Sequence, residues 1–182
     1  MNSVSYPIVR AFTSIAACII LLCAGVEARA AGPAPTPALP AAPVPGQIVG
    51  FENTQGKALF LHDFKGKPVL INLWATWCAP CVKEMPSLAK LQKDYAATGL
   101  VVIAISEDET MPDVLAFYKK NSIIGLEPYL DKGHGVYTAL TPRGLPTTIL
   151  VNRDGVMVQR VEGPVEWQAP QALSVLTQIL KK

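Results

Sequence analysis

Cys78 and Cys81 are the residues whose type and spacing point most directly to chemistry. They stand in Trp77-Cys78-Ala79-Pro80-Cys81. A strand-like run, Val69 to Ala75, leads in, and a helix-like run with apolar Val82, Met85, Leu88, Leu91 and Tyr95 leads out. Thiols three residues apart at a helix start lie on adjacent positions of one turn, close enough to bond to each other. The first also occupies the place where unpaired backbone N–H groups and the positive end of the helix dipole favour an anion. Since the thiolate is the reactive form, this site is expected to lower the pKa of Cys78 and make it a nucleophile near neutral pH. Cys81, one turn deeper, is then placed to attack the mixed disulfide that Cys78 forms. Two other readings of the pair exist. Half of a zinc site would need further ligands, and the two histidines, His62 and His134, lack ligand spacing to the pair. A static disulfide closing so short a loop adds little chain entropy. The residues favour a redox dithiol.

The elements that must hold this pair belong to one domain with appendages. The chain has 182 residues, half of them hydrophobic and 16% charged, which is enough apolar matter for a core and argues against disorder. A net charge of +2, with no basic stripe beyond Lys181-Lys182, implies no nucleic-acid partner. Cys18 and Cys23 fall in the uncharged run Ala11 to Val26, which follows Arg10 and precedes Glu27-Ala28-Arg29-Ala30-Ala31. This pattern predicts a signal peptide over residues 1–30, cut after Ala30. The run is short for a membrane span, and an uncleaved anchor is the alternative. Ile15-Ala16-Ala17-Cys18 looks like a lipidation box, but Arg10 is close to it and the apolar run continues past the cysteine. Either route delivers the domain outside the cytoplasm. Residues 31–46 form a Pro/Ala-rich linker with prolines at 33, 35, 37, 40, 43 and 45. Such a stretch is either an extended spacer spanning about 40 Å or a simple disordered leader.

The folded domain is expected over 47–182. Gln47 to Phe51 and Lys57 to Phe60 read as two short strands around a turn at Asn53 to Gly56. Asp63 to Lys67 reads as a loop, and Pro68 opens the central strand. The helix after Cys81 carries Pro86, expected to kink it, and ends at Gly99. Leu100 to Ile105 is an unbroken apolar run, typical of a strand buried on both faces. Pro112 to Lys120 predicts a helix, Ile123 to Leu130 a short strand, and Val136 to Leu140 a short helix. Thr147 to Asn152 and Val156 to Val161 follow as strands, and Ala169 to Lys182 as the closing helix. Strands alternating with helices around a buried strand make an α/β layered fold with a central sheet.

With the cysteine pair at a strand-to-helix junction and Gly144-Leu145-Pro146-Thr147-Thr148 before a later strand, the domain resembles thioredoxin. The phrase Asn72-Leu73-Trp74-Ala75-Thr76-Trp77-Cys78, the run Lys83-Glu84-Met85-Pro86 and the N-terminal hairpin narrow the likeness to the exported TlpA/ResA-like thiol:disulfide oxidoreductases. The run Pro146-Thr147-Thr148 leading to Asn152-Arg153-Asp154-Gly155 does so too, and Glu162-Gly163-Pro164-Val165-Glu166-Trp167 is most similar to the TlpA members. The resemblance implies a thioredoxin-like mixed sheet flanked by helices, with an extra hairpin and an inserted strand/helix segment. It implies catalytic Cys78, Cys81 and Glu84, and partner contacts through Trp77, Leu145, Pro146 and Thr147. Pro146 would be cis and lie beside Cys78, leaving the Leu145 backbone free to pair with a partner chain. Glu84 lies one turn beyond Cys81, whereas the acid that thioredoxin carries before its first cysteine is here Asn72. Two readings of Glu84 follow: a buried base that takes the Cys81 proton, or a surface glutamate balancing Lys83. Trp74 and Trp167 read as packing residues, and His134, flanked by glycines, as a solvated loop residue.

Ala79-Pro80 places no charged side chain between the thiols, which favours a reducing couple. The family implies periplasmic partner proteins with a cysteine pair, in cytochrome c maturation or copper-site assembly. Because the periplasm is oxidising, the electrons must return through a membrane thiol donor; no cofactor and a monomer are expected, with inner-membrane anchoring through the N-terminus as an option. A copper-binding chaperone and a peroxidase on the same scaffold are the competing functions. The first normally has a wider cysteine spacing and a matched histidine, the second a different loop around its cysteine.

Overall fold

The structure is a computed structural model and describes residues 42–43 and 50–180. The export segment predicted over 1–30, the 31–46 linker apart from Ala42 and Pro43, residues 47–49 and the final two lysines lie outside the described residues.

Central to the fold is β4 (Val69–Trp74), buried along its whole length. It pairs in parallel with β5 (Val101–Ser106), from Val69 opposite Val101 to Trp74 opposite Ser106. β5 pairs in parallel with β6 (Pro128–Leu130). On its other side β4 runs antiparallel to β7 (Thr147–Val151), which is antiparallel to β8 (Val156–Glu162). The short strands β2 (Phe51–Glu52) and β3 (Ala58–Leu59) form a hairpin on the β6 edge. β1 (Ala42–Pro43), inside the stretch read as linker, pairs with Val156 and Met157 of β8. Among the described residues the sheet order is β1-β8-β7-β4-β5-β6-β2-β3.

Parallel neighbours need crossover connections, and helices supply them. α1 (Ala79–Tyr95) joins β4 to β5, and α2 (Met111–Lys120) joins β5 to β6. α3 (Gly135–Leu140) and α4 (Pro170–Leu180) complete the set. The alternation of a strand sorts its side chains between two cores. Leu70 and Trp74 join Leu88, Val114 and Leu176 from α1, α2 and α4. Ile71 and Leu73 join Ile103, Ile149 and the α3 residues Val136 and Leu140 on the other face. Central strands covered on both faces in this way are unbroken apolar runs.

Several expected boundaries shift for local reasons. α1 runs through the exposed Pro86 and stops at Tyr95; a 3-10 turn, Ala96–Thr98, then leads to Gly99, whose φ of 85° only glycine adopts without strain. The loop expected at Asp63–Lys67 begins as a 3-10 turn, Leu61–Phe64, where the Asp63 carboxylate accepts the Phe60 N–H at 2.8 Å. The strand expected over Ile123–Leu130 shrinks to its last three residues. Ser122 and Gly125 take positive φ and turn the chain, so Ile123 and Leu126 are buried from a loop and Ile124 is exposed. No helix among the described residues is long and apolar enough to cross a membrane.

Candidate thiol site

β4 ends at Trp74, and its continuation carries the cysteine pair onto the first turn of α1. Cys78 is the N-cap, with extended backbone, and its sulfur accepts the Cys81 N–H at 3.3 Å. The Cys78 N–H goes to Ala75 O at 3.1 Å, and Pro80 sits in the first turn, where its missing N–H costs nothing. The two sulfurs form a disulfide, with Cα atoms 5.2 Å apart. Burial is uneven: Cys78 is 7% exposed and Cys81 1%. Trp77, at 70%, is the outlying ring beside the pair. The helix terminus thus supplies Cys78 with the N–H donor and dipole that favour a thiolate.

Glu84 is buried, at 4% exposure, which removes the surface reading of it. Burial pushes its carboxyl up to about 7; the Trp167 indole, the Val165 N–H and the Asn72 amide pull it back, and the Glu166 charge adds to the rise. Trp167 is itself buried and donates Nε1–H to Glu84 Oε1 at 2.5 Å. The packing role expected for Trp167 is therefore incomplete: its ring packs in the core while its polar edge holds the acid. Glu84 Oε2 and Asn72 Oδ1 are buried without a hydrogen-bond partner among the described residues, while Asn72 Nδ2 donates to Thr148 Oγ1 at 2.9 Å.

The antiparallel register, Leu73 opposite Thr147, brings the start of β7 to the end of β4. Pro146 therefore lies at the cysteine end of the sheet, and the Leu145-Pro146 bond is cis. Leu145 is half-buried and touches both cores. Gly163 donates its N–H to Pro146 O at 2.8 Å. The Thr147 hydroxyl bonds to Gly144 O at 2.7 Å and to the Glu162 carboxylate. Arg160 Nε donates to the other oxygen of Glu162 at 2.7 Å, and its remaining nitrogens bind Leu140 O and Thr141 O at the end of α3. Burial works against charge on Glu162, but the Thr147 hydroxyl and Arg160 outweigh it and lower its pKa.

Two further groups at this end of the sheet carry no local signal in the sequence. Asp108 accepts both polar groups of Thr76. Glu107 is buried and bonded to His134 Nδ1 at 2.8 Å, so His134 is the solvated residue expected but also has a buried acidic partner. His134 has a φ of 56°, which its flanking glycines hinted at, but nothing local pointed to a partner 27 positions earlier.

The chain matches the Redoxin family over residues 33–178. The thiol-disulfide oxidoreductase ResA of Bacillus thuringiensis subsp. konkukian is 38% identical over 109 residues, covering 60% of this chain and 62% of its own. ResA of Bacillus subtilis is 38% identical over 112 residues, 62% of each chain. The chain thus spans less than two thirds of the length of these relatives. The crystal structure of the thioredoxin domain of a thiol-disulfide oxidoreductase from Bacteroides vulgatus shares the fold, with a TM-score of 0.62 at 22% identity over 81% of this chain and 99% of that one. On its mixed sheet, its N-cap dithiol and these likenesses, the chain belongs to the Redoxin family, as a TlpA/ResA-like member with a thioredoxin fold.

Proposed function

We propose that the protein is an exported thiol-disulfide oxidoreductase that reduces disulfides in partner proteins outside the cytoplasm. The observation that carries this reading is the unequal pair, with Cys78 at the helix N-cap and Cys81 beneath it on the helix that also carries buried Glu84. In the reduced protein the Cys78 thiolate attacks one sulfur of a partner disulfide; the S–S bond breaks, and the partner's other sulfur leaves as a thiolate and takes a proton. Cys81 then gives its proton to Glu84 and attacks the Cys78 sulfur. The partner's second thiol is released, and the Cys78–Cys81 disulfide seen here forms. Two electrons have passed to the partner, and a membrane thiol carrier returns them in the next cycle. Trp77 and the Leu145-Pro146-Thr147 backbone form the face on which the partner chain lies, as an added strand.

The absence of charge at Ala79-Pro80 supports the reducing direction. Partners of this chemistry are proteins whose cysteine pair must be reduced before it takes haem or copper, as in cytochrome c maturation or copper-site assembly. Trapping tests the reading. Cys81→Ser is expected to accumulate a mixed disulfide with a cysteine-pair protein, reversible by dithiothreitol, whereas Cys78→Ser traps nothing. Equal trapping by both variants would overturn the assignment of the nucleophile.

A further inference from the structure

A buried carboxylate that the exchange steps do not use faces the residues just before Cys78. Asp108 follows β5 and is 6% exposed. Its Oδ2 accepts the Thr76 N–H at 3.0 Å and the Ser106 hydroxyl at 2.5 Å. Its Oδ1 accepts the Thr76 hydroxyl at 2.6 Å. The Asp108 N–H closes the loop onto Ser106 Oγ at 3.0 Å, and the neighbouring Glu107 N–H binds Trp74 O at 2.8 Å. A carboxylate withdrawn from water is costly unless donors replace the solvent, and here three do. Two of the three come from a single residue on the opposite loop.

That residue adjoins Trp77 and lies two before Cys78. Trp77 leaves most of its ring in solvent, so burial contributes little to fixing its orientation. Thr76 is held at both its backbone and its side chain, which fixes where the next residue starts. We propose that Asp108 is a positioning residue of the thiol site: by binding both polar groups of Thr76 it aims Trp77 and Cys78 together, so that a docked protein chain meets the ring and the sulfur in register. The inference rests on the thiol-exchange reading for its kinetic readout and not for its spectroscopic one. A small disulfide needs only the sulfur, whereas a protein disulfide needs the ring as well. Loss of the clamp should therefore slow the two substrates unequally.

Asp108→Asn and Thr76→Val, made in the full chain, each remove one of the clamp's hydrogen bonds with little change of shape. Thr76→Ser keeps the hydroxyl. Because Trp74 and Trp167 are buried, acrylamide-quenchable fluorescence reports Trp77. Reduction of insulin is expected to fall about ten-fold in Asp108→Asn and Thr76→Val, since small misplacements cost large factors in rate. Reduction of hydroxyethyl disulfide should change by less than about two-fold, while the fast component of Trp77 anisotropy grows. Thr76→Ser should retain most of the insulin rate. If both clamp variants unfold cooperatively in urea yet keep the wild-type anisotropy and the wild-type ratio of the two rates, the proposal is overturned; an equal fall in both rates at unchanged anisotropy overturns it too. Should Asp108→Asn fail to fold, Thr76→Val decides the matter. A wild-type protein that reduces neither disulfide would end the exchange reading, and the anisotropy of the variants would still decide the role of Asp108.

Discussion

Glu84 and Glu107 are buried near the same end of the sheet, and burial pushes each to about 7, yet different groups meet their carboxylates. Glu84 is hydrogen-bonded by a neutral donor, the Trp167 indole, with the Asn72 amide and the Val165 N–H also favouring its charged form. Glu107 faces His134, whose side chain is 47% exposed, with the Asp131 carboxylate adding to its rise. Neutral donors steady a charge without cancelling it, so the Glu84 carboxylate remains a proton acceptor in a dry setting. Glu107 shares its charge with an imidazole in contact with water. The same depth of burial thus gives an acid reserved for its neighbours and an acid wired to the surface.

The largest test of that contrast is kinetic. Glu84→Gln is expected to slow resolution of the mixed disulfide by about 100-fold at pH 7, the range of a lost general base, and to flatten its dependence on pH. Glu107→Gln should change the same step by less than about two-fold and leave the profile in place. Stopped-flow measurement of partner release between pH 5 and 9 distinguishes them, and equal losses in the two variants would erase the comparison.

Stability against pH comes next. For both acids the folded-state pKa lies above the ordinary carboxylate value of 4.5, so the folded protein holds the proton more tightly than the unfolded chain. The resulting stabilisation is complete below pH 4.5 and is lost as pH rises through about 7. A rise from 4.5 to about 7 corresponds to about 3 kcal/mol at Glu84. Urea unfolding of the oxidised protein should therefore show stability falling from pH 5 to 8, and Glu84→Gln should remove most of its share of the slope.

A narrower prediction concerns the indole. Trp167 Nε1–H favours the charged form of Glu84, so Trp167→Phe keeps most of the packing and lets the Glu84 pKa climb further. The rising limb of the resolution rate should move to higher pH. If it stays in place, the bond is a packing accident and Glu84 is set by burial alone.

What was legible in the sequence was what is local or periodic. The apolar runs of β4 and β5 and the cysteine spacing are short-range signals, and the family likeness joined them into a mixed sheet flanked by helices. The nearness of Glu84 to Cys81 follows from one helical turn, but its burial depends on Trp167, 83 positions later. Asp108 and Thr76 are likewise brought together by the parallel pairing of β4 and β5, which nothing in either loop announces. The run Ile123 to Leu130 predicts a short strand, of which only Pro128–Leu130 forms. Positive φ at Ser122 and Gly125 broke it, since an apolar run of that length fits a buried loop as well as a strand.

The smallest expected effect is at His134, and it bears on the other half of the comparison. His134 sits at a φ of 56°, a conformation asparagine tolerates well, so His134→Asn removes the imidazole without adding strain. The Glu107 bond and charge raise the His134 pKa, so its stabilising share is present below pH 6.5 and is lost as pH rises through the higher folded value. His134 in turn holds Glu107 below where burial alone would place it. Removing the imidazole should abolish the histidine's part of the pH slope and shift the Glu107 part to higher pH. The loss of stability at pH 6 should be under about 1 kcal/mol, as for other solvent-facing pairs. Thiol exchange should keep its wild-type pH profile throughout. A shifted exchange profile in His134→Asn would mean that the two acids are coupled through the end of the sheet, and that the division between a reserved acid and a surface-linked one is wrong.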